Sequence, residues 1–389
     1  MTLDSLEILR SLVAFPTVSR ESNLRLIEWV RNYLADHDIE SHLVPNAEGT
    51  KANLVATIGA ARCGGMVFSG HTDVVPVEGQ AWTSDPFRLT ARGSRLHARG
   101  ACDMKGFIAA VLSRVPAWKQ ARLERPVHLM LSYDEEVGCL GVSSMISAAR
   151  ELLPEPSTVL VGEPTGMRVA TQHKGICLAQ TKVVGIEAHS SLTHQGESAV
   201  MLAGELIAYL ANAAEKLAAA VPAGGSVVEP PYTTISVNRI SGGTTNNILA
   251  GLCEFIWDIR PVPGESAESV LTGLAAHAEE RLAQLAALGK RCQIETTVLA
   301  DVPALQAEAG GIAAELVRAA MADREADIAV PFGTEGGYFQ RAGWSTVVCG
   351  PGSIDVAHRP DEFIEHGQLI ECEALLDRLV NRLQPTSKA

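Results

Sequence analysis

The sequence predicts an α/β protein with a mostly parallel central sheet and an inserted α+β domain of the ferredoxin-like type. Short apolar strands alternate with helices in the N-terminal part of the chain, and this alternation returns after residue 298. Such alternation is typical of a parallel sheet that helices cover on both faces. Between these parts, the segment 178–297 has the order strand, helix, strand, strand, helix, strand, which is the split βαβ pattern. We therefore expect one domain from residues 1–177 and 298–389 and an inserted domain from residues 178–297.

The first domain contains one clear helical stripe and a series of short apolar runs. The segment SNLRLIEWVRNYLADH places Leu26, Ile27, Val30 and Leu34 on one helical face. The predicted strands are NLVATIG, MVFSG, VHLMLSY and TVLVGE. Between the second and third of these strands, MKGFIAAVLSRV is a predicted helix. Near the end of the chain, STVVCGPGS is a predicted strand and LIECEALLDRLVNRL a predicted helix.

The inserted domain shows a different pattern, with longer helices and alternating strands. Its predicted strands are CLAQTKVVGIEAH, YTTISVNRI, LCEFIWDIRP and CQIETTVL. Its two predicted helices are ESAVMLAGELIAYLANAAEKLAA, which follows the first strand, and SVLTGLAAHAEERLAQLAAL, which follows the third. Two helices and four strands of this length form a compact unit by themselves.

Composition excludes several classes of function. The chain has 389 residues and a net charge of −13, and a basic face able to neutralise many phosphates is not expected. No apolar run reaches the length needed to span a bilayer, and the N-terminal segment lacks a basic signal-peptide region. The eight cysteines include no C-x-x-C pair, so neither a disulfide framework nor a cysteine zinc site is indicated. We expect a cytoplasmic protein with no nucleic-acid or membrane partner.

Metal-competent side chains follow the ends of several predicted strands. In an open α/β sheet, the functional crevice lies outside the carboxyl ends of the strands. The strands and their trailing loops therefore deliver these side chains to a single edge. They are His71 and Asp73 after MVFSG, Asp103 after RLHARGAC, Glu135 and Glu136 after VHLMLSY, Glu163 after TVLVG, and His358 after STVVCGPGSIDVA.

Two histidines and three carboxylates from this set are the candidate metal ligands. This combination suits Zn²⁺ and also Co²⁺ or Mn²⁺, and it exceeds what one tetrahedral zinc needs. One carboxylate could bridge two ions, as two-metal hydrolases require. Asp73 shares a strand face with His71, and its carboxylate could accept the free ring N–H and fix the tautomer. Of the adjacent acids Glu135 and Glu136, which diverge in extended backbone, one is expected to bind metal and the other to carry protons.

Five segments, SGHTDVVP, RGACDMKG, SYDEEVG, VGEPT and AHRPDE, together resemble the motifs of the dinuclear zinc amidohydrolase and exopeptidase family. The likeness covers nearly the whole chain. It implies a zinc-exopeptidase-like catalytic domain, a cis peptide after Asp103, and an inserted domain that serves as lid and dimerisation domain of a homodimer. The implied roles are one zinc on His71, Asp103 and Glu163, another on Asp103, Glu136 and His358, Glu135 as general base, and Asp73 as the residue that orients His71.

The resemblance extends to residues that would bind the substrate. In the family, the histidine matching His189 of GIEAHSS reaches the partner subunit's site and polarises the scissile carbonyl. Asn247 in GGTTNNILAG matches a substrate-binding asparagine, although Ala250 stands where the family usually has proline. Arg260 could bind a substrate carboxylate, or form a structural ion pair across strands. Glu335 of PFGTEGGYF, where many relatives have aspartate, could receive a substrate ammonium.

These features together imply metal-dependent hydrolysis of an N-acylated amino acid. A free α-carboxylate for Arg260 and a side-chain amine for Glu335 fit N-acetyl-L-ornithine, a precursor in arginine biosynthesis. Other substrates in the same class stay open, namely succinyl-diaminopimelate, acetyl-citrulline and dipeptides. From another class, a non-catalytic metal-binding protein on this fold also stays open, although a free acid at Glu135 would have no purpose there.

Overall fold

The computed structural model describes residues 3–60, 62–220, 227–321 and 326–384, and the chain divides into two compact units. The first unit comprises Met1–Gln172, Leu305–Val330 and Thr334–Ala389. The second comprises His173–Ala304 and Pro331–Gly333, so it begins before and ends after the segment 178–297 that the pattern indicates. Among the residues that the structure describes, no helix combines the length and apolarity needed to cross a membrane.

The helices and strands are numbered in chain order. The helices are α1 Ser5–Val13, α2 Leu24–Ala35, α3 Gly106–Gln120, α4 Val142–Leu152, α5 Ala199–Ala219, α6 Glu268–Ala287, α7 Ile312–Ala320, α8 Gly336–Arg341 and α9 His366–Asn381. The strands are β1 Ser41–Pro45, β2 Ala52–Ile58, β3 Gly65–His71, β4 Thr90–Arg92, β5 Arg95–His97, β6 Val127–Ser132, β7 Pro156–Val161, β8 Ala170–His173, β9 Ile176–Val184, β10 Thr234–Gly242, β11 Leu252–Arg260, β12 Gln293–Val302, β13 Ile328–Val330, β14 Ser345–Val348 and β15 Phe363–Glu365.

The first unit is built on an eight-stranded sheet with the order β1-β2-β6-β3-β7-β14-β8-β13. The four middle strands, β6, β3, β7 and β14, run parallel, which confirms the α/β class with a parallel centre. Towards the edges, β2 pairs antiparallel with β6, β1 with β2, and β8 with β14. Every residue of β3 and β6 is buried, as the continuous apolar character of parallel strands between helices requires.

The parallel arrangement brings the carboxyl ends of the four middle strands to one edge. The chain leaves β3 at His71, β6 at Ser132, β7 at Val161 and β14 at Val348. A separate three-stranded sheet, with the order β15-β5-β4, joins Arg95–His97 to Phe363–Glu365. The sequence pattern does not predict this small sheet, because its strands have only three residues each. In the chain, β4 and β5 precede Asp103, and β15 follows His358.

The second unit has a four-stranded antiparallel sheet with the order β10-β11-β9-β12. Its elements follow one another as β9, α5, β10, β11, α6 and β12, which is the order that the sequence pattern predicts. The inner face of the sheet is apolar, and residues such as Phe255, Trp257 and Ile259 of β11 are buried in the core of this unit with Leu202 and Leu206 of α5.

Gly350 lies two residues after β14, where the chain passes the end of β7. A β-carbon at this position would lie 2.1 Å from the carbonyl oxygen of Gly162 and 2.7 Å from that of Glu163. Because both contacts are with backbone, the strand ends must move apart in Gly350→Ala. We expect the free energy of unfolding, measured in urea, to fall by roughly 1–3 kcal/mol.

The control for this substitution is Gly367→Ala in α9. No atom lies within 4 Å of a β-carbon at Gly367. Alanine inside a helix is favoured over glycine by about 0.5–1 kcal/mol, so this variant should be as stable as the parent or more stable. Equal urea midpoints for Gly350→Ala and the parent protein would contradict the prediction.

Candidate active site

The first unit brings the predicted side chains together at the carboxyl edge of its sheet. Ligand atoms of His71, Glu135 and Glu163 lie within 4.8 Å of one another, as do those of His71, Asp103 and Glu136. His358 adds its ring at 3.1 Å from Glu136. Each side chain stands at or soon after a strand end, which explains how residues far apart in sequence form one cluster.

The ring of His71 ends β3 and is 1% exposed. Its Nδ1 lies 3.0 Å from the backbone carbonyl oxygen of Asp73 and 3.5 Å from the carboxylate Oδ1 of the same residue. The orienting contact is therefore made chiefly by the carbonyl, where the sequence suggests the carboxylate. An Nδ1–H that donates to this carbonyl leaves the Nε2 lone pair facing Asp103 Oδ1, at 3.0 Å, and Glu163 Oε1, at 3.9 Å.

Asp103 lies between the two histidines. Its Oδ1 is 3.0 Å from His71 Nε2, and its Oδ2 is 3.2 Å from His358 Nε2. The peptide bond from Asp103 to Met104 is cis, as the family resemblance implies. Because each oxygen faces a different histidine, this carboxylate can serve two neighbouring cations at once.

The carboxylate of Asp73 holds the segment that carries the two adjacent acids. Its Oδ1 accepts the backbone N–H of Glu135 at 3.1 Å, and its Oδ2 accepts that of Glu136 at 3.3 Å. The hydroxyl of Ser19 also donates to Oδ2, at 2.7 Å. Asp73 thus links the orientation of His71 to the position of the acids.

The side chains of Glu135 and Glu136 make different contacts. Glu136 Oε1 and Oε2 both lie near His358 Nε2, at 3.1 Å. Glu135 Oε1 accepts the thiol of Cys139 at 3.4 Å, a contact that no motif in the sequence indicates. The two adjacent side chains therefore contact different partners, as their opposite directions along the backbone require.

The cluster buries several carboxylates close together, an arrangement that added positive charge would stabilise. Burial raises the pKa of Glu163 well above its ordinary value, and the charge of Asp103 raises it further. The same two causes raise the pKa of Glu136. Burial also raises the pKa of Glu135 well above its ordinary value, although His71 opposes this shift. Burial alone would raise the pKa of Asp103, but hydrogen bonds from His358 and His71 hold it below its usual range.

The residues present fit divalent metal ions. Four acidic side chains and two imidazoles converge, and two histidines cannot balance four carboxylates in a buried place. Imidazole nitrogens and carboxylate oxygens are the donors that Zn²⁺ and its neighbours in the first transition row accept. Bound cations would therefore relieve the repulsion that raises these pKa values.

The second unit brings His189 and Asn247 next to each other. His189 forms a β-bridge with Ile248, and the backbone N–H of Ser190 donates to the carbonyl of Asn247 at 3.0 Å. The ring of His189 is exposed, and its Nδ1 lies 2.8 Å from the hydroxyl of Ser191. The structure thus places side by side the segments GIEAHSS and GGTTNNILAG, to which the resemblance assigns catalysis and substrate binding.

Arg260 ends β11 in an ion pair with a neighbour on the same strand. Its Nε donates to Asp258 Oδ2 at 2.7 Å, and its side chain is 37% exposed. This pair corresponds to the structural alternative for Arg260, although it lies along one strand rather than across two. A role in binding a substrate carboxylate stays a prediction.

Glu335 lies immediately before α8. Its carboxyl group is 1% exposed, and Ser69 of β3 donates to its Oε2 at 3.3 Å. No described residue makes a hydrogen bond to its Oε1. Burial raises the pKa of Glu335 to about 7. Its proposed contact with a substrate ammonium also stays a prediction.

The chain resembles known proteins over nearly its full length. Acetylornithine deacetylase from Myxococcus xanthus is 35% identical over 97% of this chain and 98% of that protein. Acetylornithine deacetylase from Pasteurella multocida is 31% identical over 97% of each chain.

Solved structures show the same fold. An M20 family metallo-carboxypeptidase from Sulfolobus solfataricus matches with a TM-score of 0.76 and 17% identity, over 98% of this chain and 99% of that one. A dinuclear metal binding peptidase of the M20 family from Bacillus subtilis matches with a TM-score of 0.67 and 16% identity, over 97% and 96%. The model of Peptidase family M20/M25/M40 matches residues 67–382, a range that contains every predicted metal ligand. The family suggested by the five motifs is thereby confirmed, and the chain belongs to Peptidase family M20/M25/M40.

Proposed function

We propose that this protein hydrolyses N-acetyl-L-ornithine to L-ornithine and acetate with two divalent metal ions. Zn²⁺ is the ion that we propose first. The observation that carries the proposal is the position of Asp103, whose two oxygens face two different histidines, with Glu135 beside them. The names of the relatives at 35% and 31% identity support the substrate. His71 and Glu163 would hold one ion, Glu136 and His358 the other, and Asp103 both.

The ions, when bound, would polarise the amide carbonyl and lower the pKa of the attacking water. Glu135 takes the proton of that water and passes it to the leaving amine, which is the work of a general base and then a general acid. Cys139 and Asp73 hold Glu135 in place for this transfer, through its Oε1 and its backbone N–H. Burial raises the pKa of Glu135, and a raised pKa suits a carboxylate that must both accept a proton and return it.

The remaining predicted residues have roles in substrate recognition within this proposal. His189 donates to the oxyanion, in the site of a partner subunit if the homodimer implied by the family forms. Asn247 and Arg260 bind the α-carboxylate of the substrate. Glu335 receives the side-chain ammonium through Oε1, the buried oxygen that lacks a hydrogen-bond partner among the described residues.

The proposal is tested by hydrolysis of a small substrate panel by the zinc- or cobalt-loaded protein. The panel contains N-acetyl-L-ornithine, N-acetyl-L-citrulline, N-acetyl-L-methionine and succinyl-diaminopimelate. We expect kcat/KM to favour N-acetyl-L-ornithine by roughly 100-fold or more, about 2.7 kcal/mol of transition-state free energy. Similar kcat/KM values for all four compounds would overturn the substrate assignment and leave the reaction class in place. If the protein bound metal but hydrolysed none of the compounds, its assignment as an enzyme would be overturned.

Glu335→Gln gives a sharper version of the same test, because it removes the charge and keeps the size of the side chain. We expect this variant to lose most of its preference for N-acetyl-L-ornithine over N-acetyl-L-methionine, since an amide has no net charge to pair with an ammonium. An unchanged preference would show that Glu335 does not recognise the substrate amine.

A further inference from the structure

A buried arginine outside the metal cluster connects two of the loops that carry ligands. Arg99 follows β5 and is 1% exposed. Its guanidinium Nη1 donates to Glu362 Oε2 at 2.5 Å. The other oxygen of Glu362 accepts the backbone N–H groups of Cys102, at 3.0 Å, and of Asp103, at 3.2 Å. Through Glu362, Arg99 therefore fixes the backbone that presents Asp103.

The other terminal nitrogen of the same guanidinium is connected to His358 through Gln80. Nη2 of Arg99 donates to Gln80 Oε1 at 2.5 Å, and Gln80 Nε2 donates to the carbonyl oxygen of His358 at 2.8 Å. Nη1 also lies 3.4 Å from the carbonyl oxygen of Arg359. The aromatic ring of Trp82 covers the guanidinium, with 5.0 Å between Arg99 Cζ and the ring centre.

His358 needs such support more than the other histidine does. It has a φ of +63°, in the left-handed region, which is unfavourable for a residue with a β-carbon. Its side chain is 46% exposed, whereas His71 is fully enclosed at the end of β3. Glu163, like His71, follows a central strand. Thus the central sheet fixes His71 and Glu163, whereas Glu136 and His358 lie in loops.

We propose that Arg99 is a positioning residue for one of the two metal sites, the one formed by Asp103, Glu136 and His358. One guanidinium nitrogen acts on the backbone of Asp103 through Glu362, and another acts on that of His358 through Gln80. The spacing of these two ligands therefore depends on the planar guanidinium. A lysine ammonium, which is a compact charge, cannot reach both acceptors in this way. The site of His71 and Glu163 shares Asp103, but its other two ligands are held by β3 and β7. This inference rests on the two-ion centre of the proposed function.

The test measures metal affinity, by equilibrium dialysis with elemental analysis and by calorimetric titration of the apo protein with Co²⁺. For the parent protein we expect two ions per chain. For Arg99→Lys we expect the Kd of the ion at Asp103, Glu136 and His358 to rise by roughly 10–100-fold, the range typical of contacts that orient metal ligands. The Kd of the ion at His71 and Glu163 should rise by a clearly smaller factor, because Asp103 is the one ligand that it shares. Gln80→Ala, which removes only the connection to His358, should raise the Kd of the ion at His358 by a smaller factor than Arg99→Lys does.

The control is Arg114→Lys, which alters an arginine bonded to Asp377 between α3 and α9, away from the ligand loops. Thermal unfolding of each apo variant establishes that it is folded, and Gln80→Ala decides the question if Arg99→Lys does not fold. Equal weakening of both ions, or of neither, in the folded variants would overturn the role of Arg99. Only one ion per chain in the parent protein would overturn the two-ion centre itself.

Discussion

Glutamine in place of Glu135 is expected to lower kcat by roughly 10²–10⁴-fold, the usual contribution of a general acid–base group. An amide can neither accept the proton of the attacking water nor return it to the leaving amine. Because Glu136, Asp103 and the histidines retain their contacts, the bound metal should stay. The measurements are steady-state rates on N-acetyl-L-ornithine and metal content by elemental analysis.

A matched control is Glu40→Gln, at an exposed position that precedes β1 and lies outside the cluster. This variant should keep the rate of the parent protein. If Glu135→Gln kept a nearly normal kcat, Glu135 would not be the base. Loss of metal together with activity would instead identify Glu135 as a ligand, an outcome that its place within 4.8 Å of His71 and Glu163 makes worth measuring.

Asp103→Asn is expected to have the largest effect on metal binding. The substitution keeps the shape of the side chain, but it removes the charge that both histidines face, at 3.0 and 3.2 Å. The affinity for both ions should fall by more than ~10–100-fold, which is the usual loss when a residue that only orients a metal ligand is replaced. The protein should therefore contain less than one ion per chain, and hydrolysis should become undetectable.

Asp377→Asn serves as the control, since Asp377 lies in α9 and pairs with Arg114 at 2.6 Å. It removes the same charge from the same unit of the protein without touching the cluster. Retention of two ions and of activity by Asp103→Asn would contradict the bridging role. Loss of only one ion would show that the two sites share less than the geometry suggests.

The ligand cluster could be predicted because its residues stand in order at strand ends. A polar pair such as His71 and Asp73 after a buried strand is recognisable in one short segment, and parallel topology then brings such segments together. The supporting residues have no such signal. Ser19 is 54 positions from Asp73, and Arg99 is 263 positions from Glu362. Their contacts depend on tertiary structure that no local pattern encodes.

The same contrast applies to the fold. Long amphipathic helices such as α5 and α6 make the element order of the second unit predictable. Strand direction is harder to predict, because β2 is almost as buried as β3 but runs antiparallel to its neighbour β6. An apolar run between helices shows burial and does not show direction. The three-residue strands of the small sheet are too short to have a period.

The hydrogen bond from Ser19 to Asp73 places the N-terminal segment inside the catalytic apparatus. Asn23 nearby donates to the hydroxyl of Thr72 at 2.9 Å, and Thr17 donates to the carbonyl of Thr72 at 2.6 Å. All three donors precede residue 67, where the family match begins. A fragment cut at that boundary would keep every metal ligand. It would lose β1, β2 and the hydroxyl and amide groups that hold the H-x-D segment. The stretch of chain that matches the family is therefore shorter than the stretch that the active site needs.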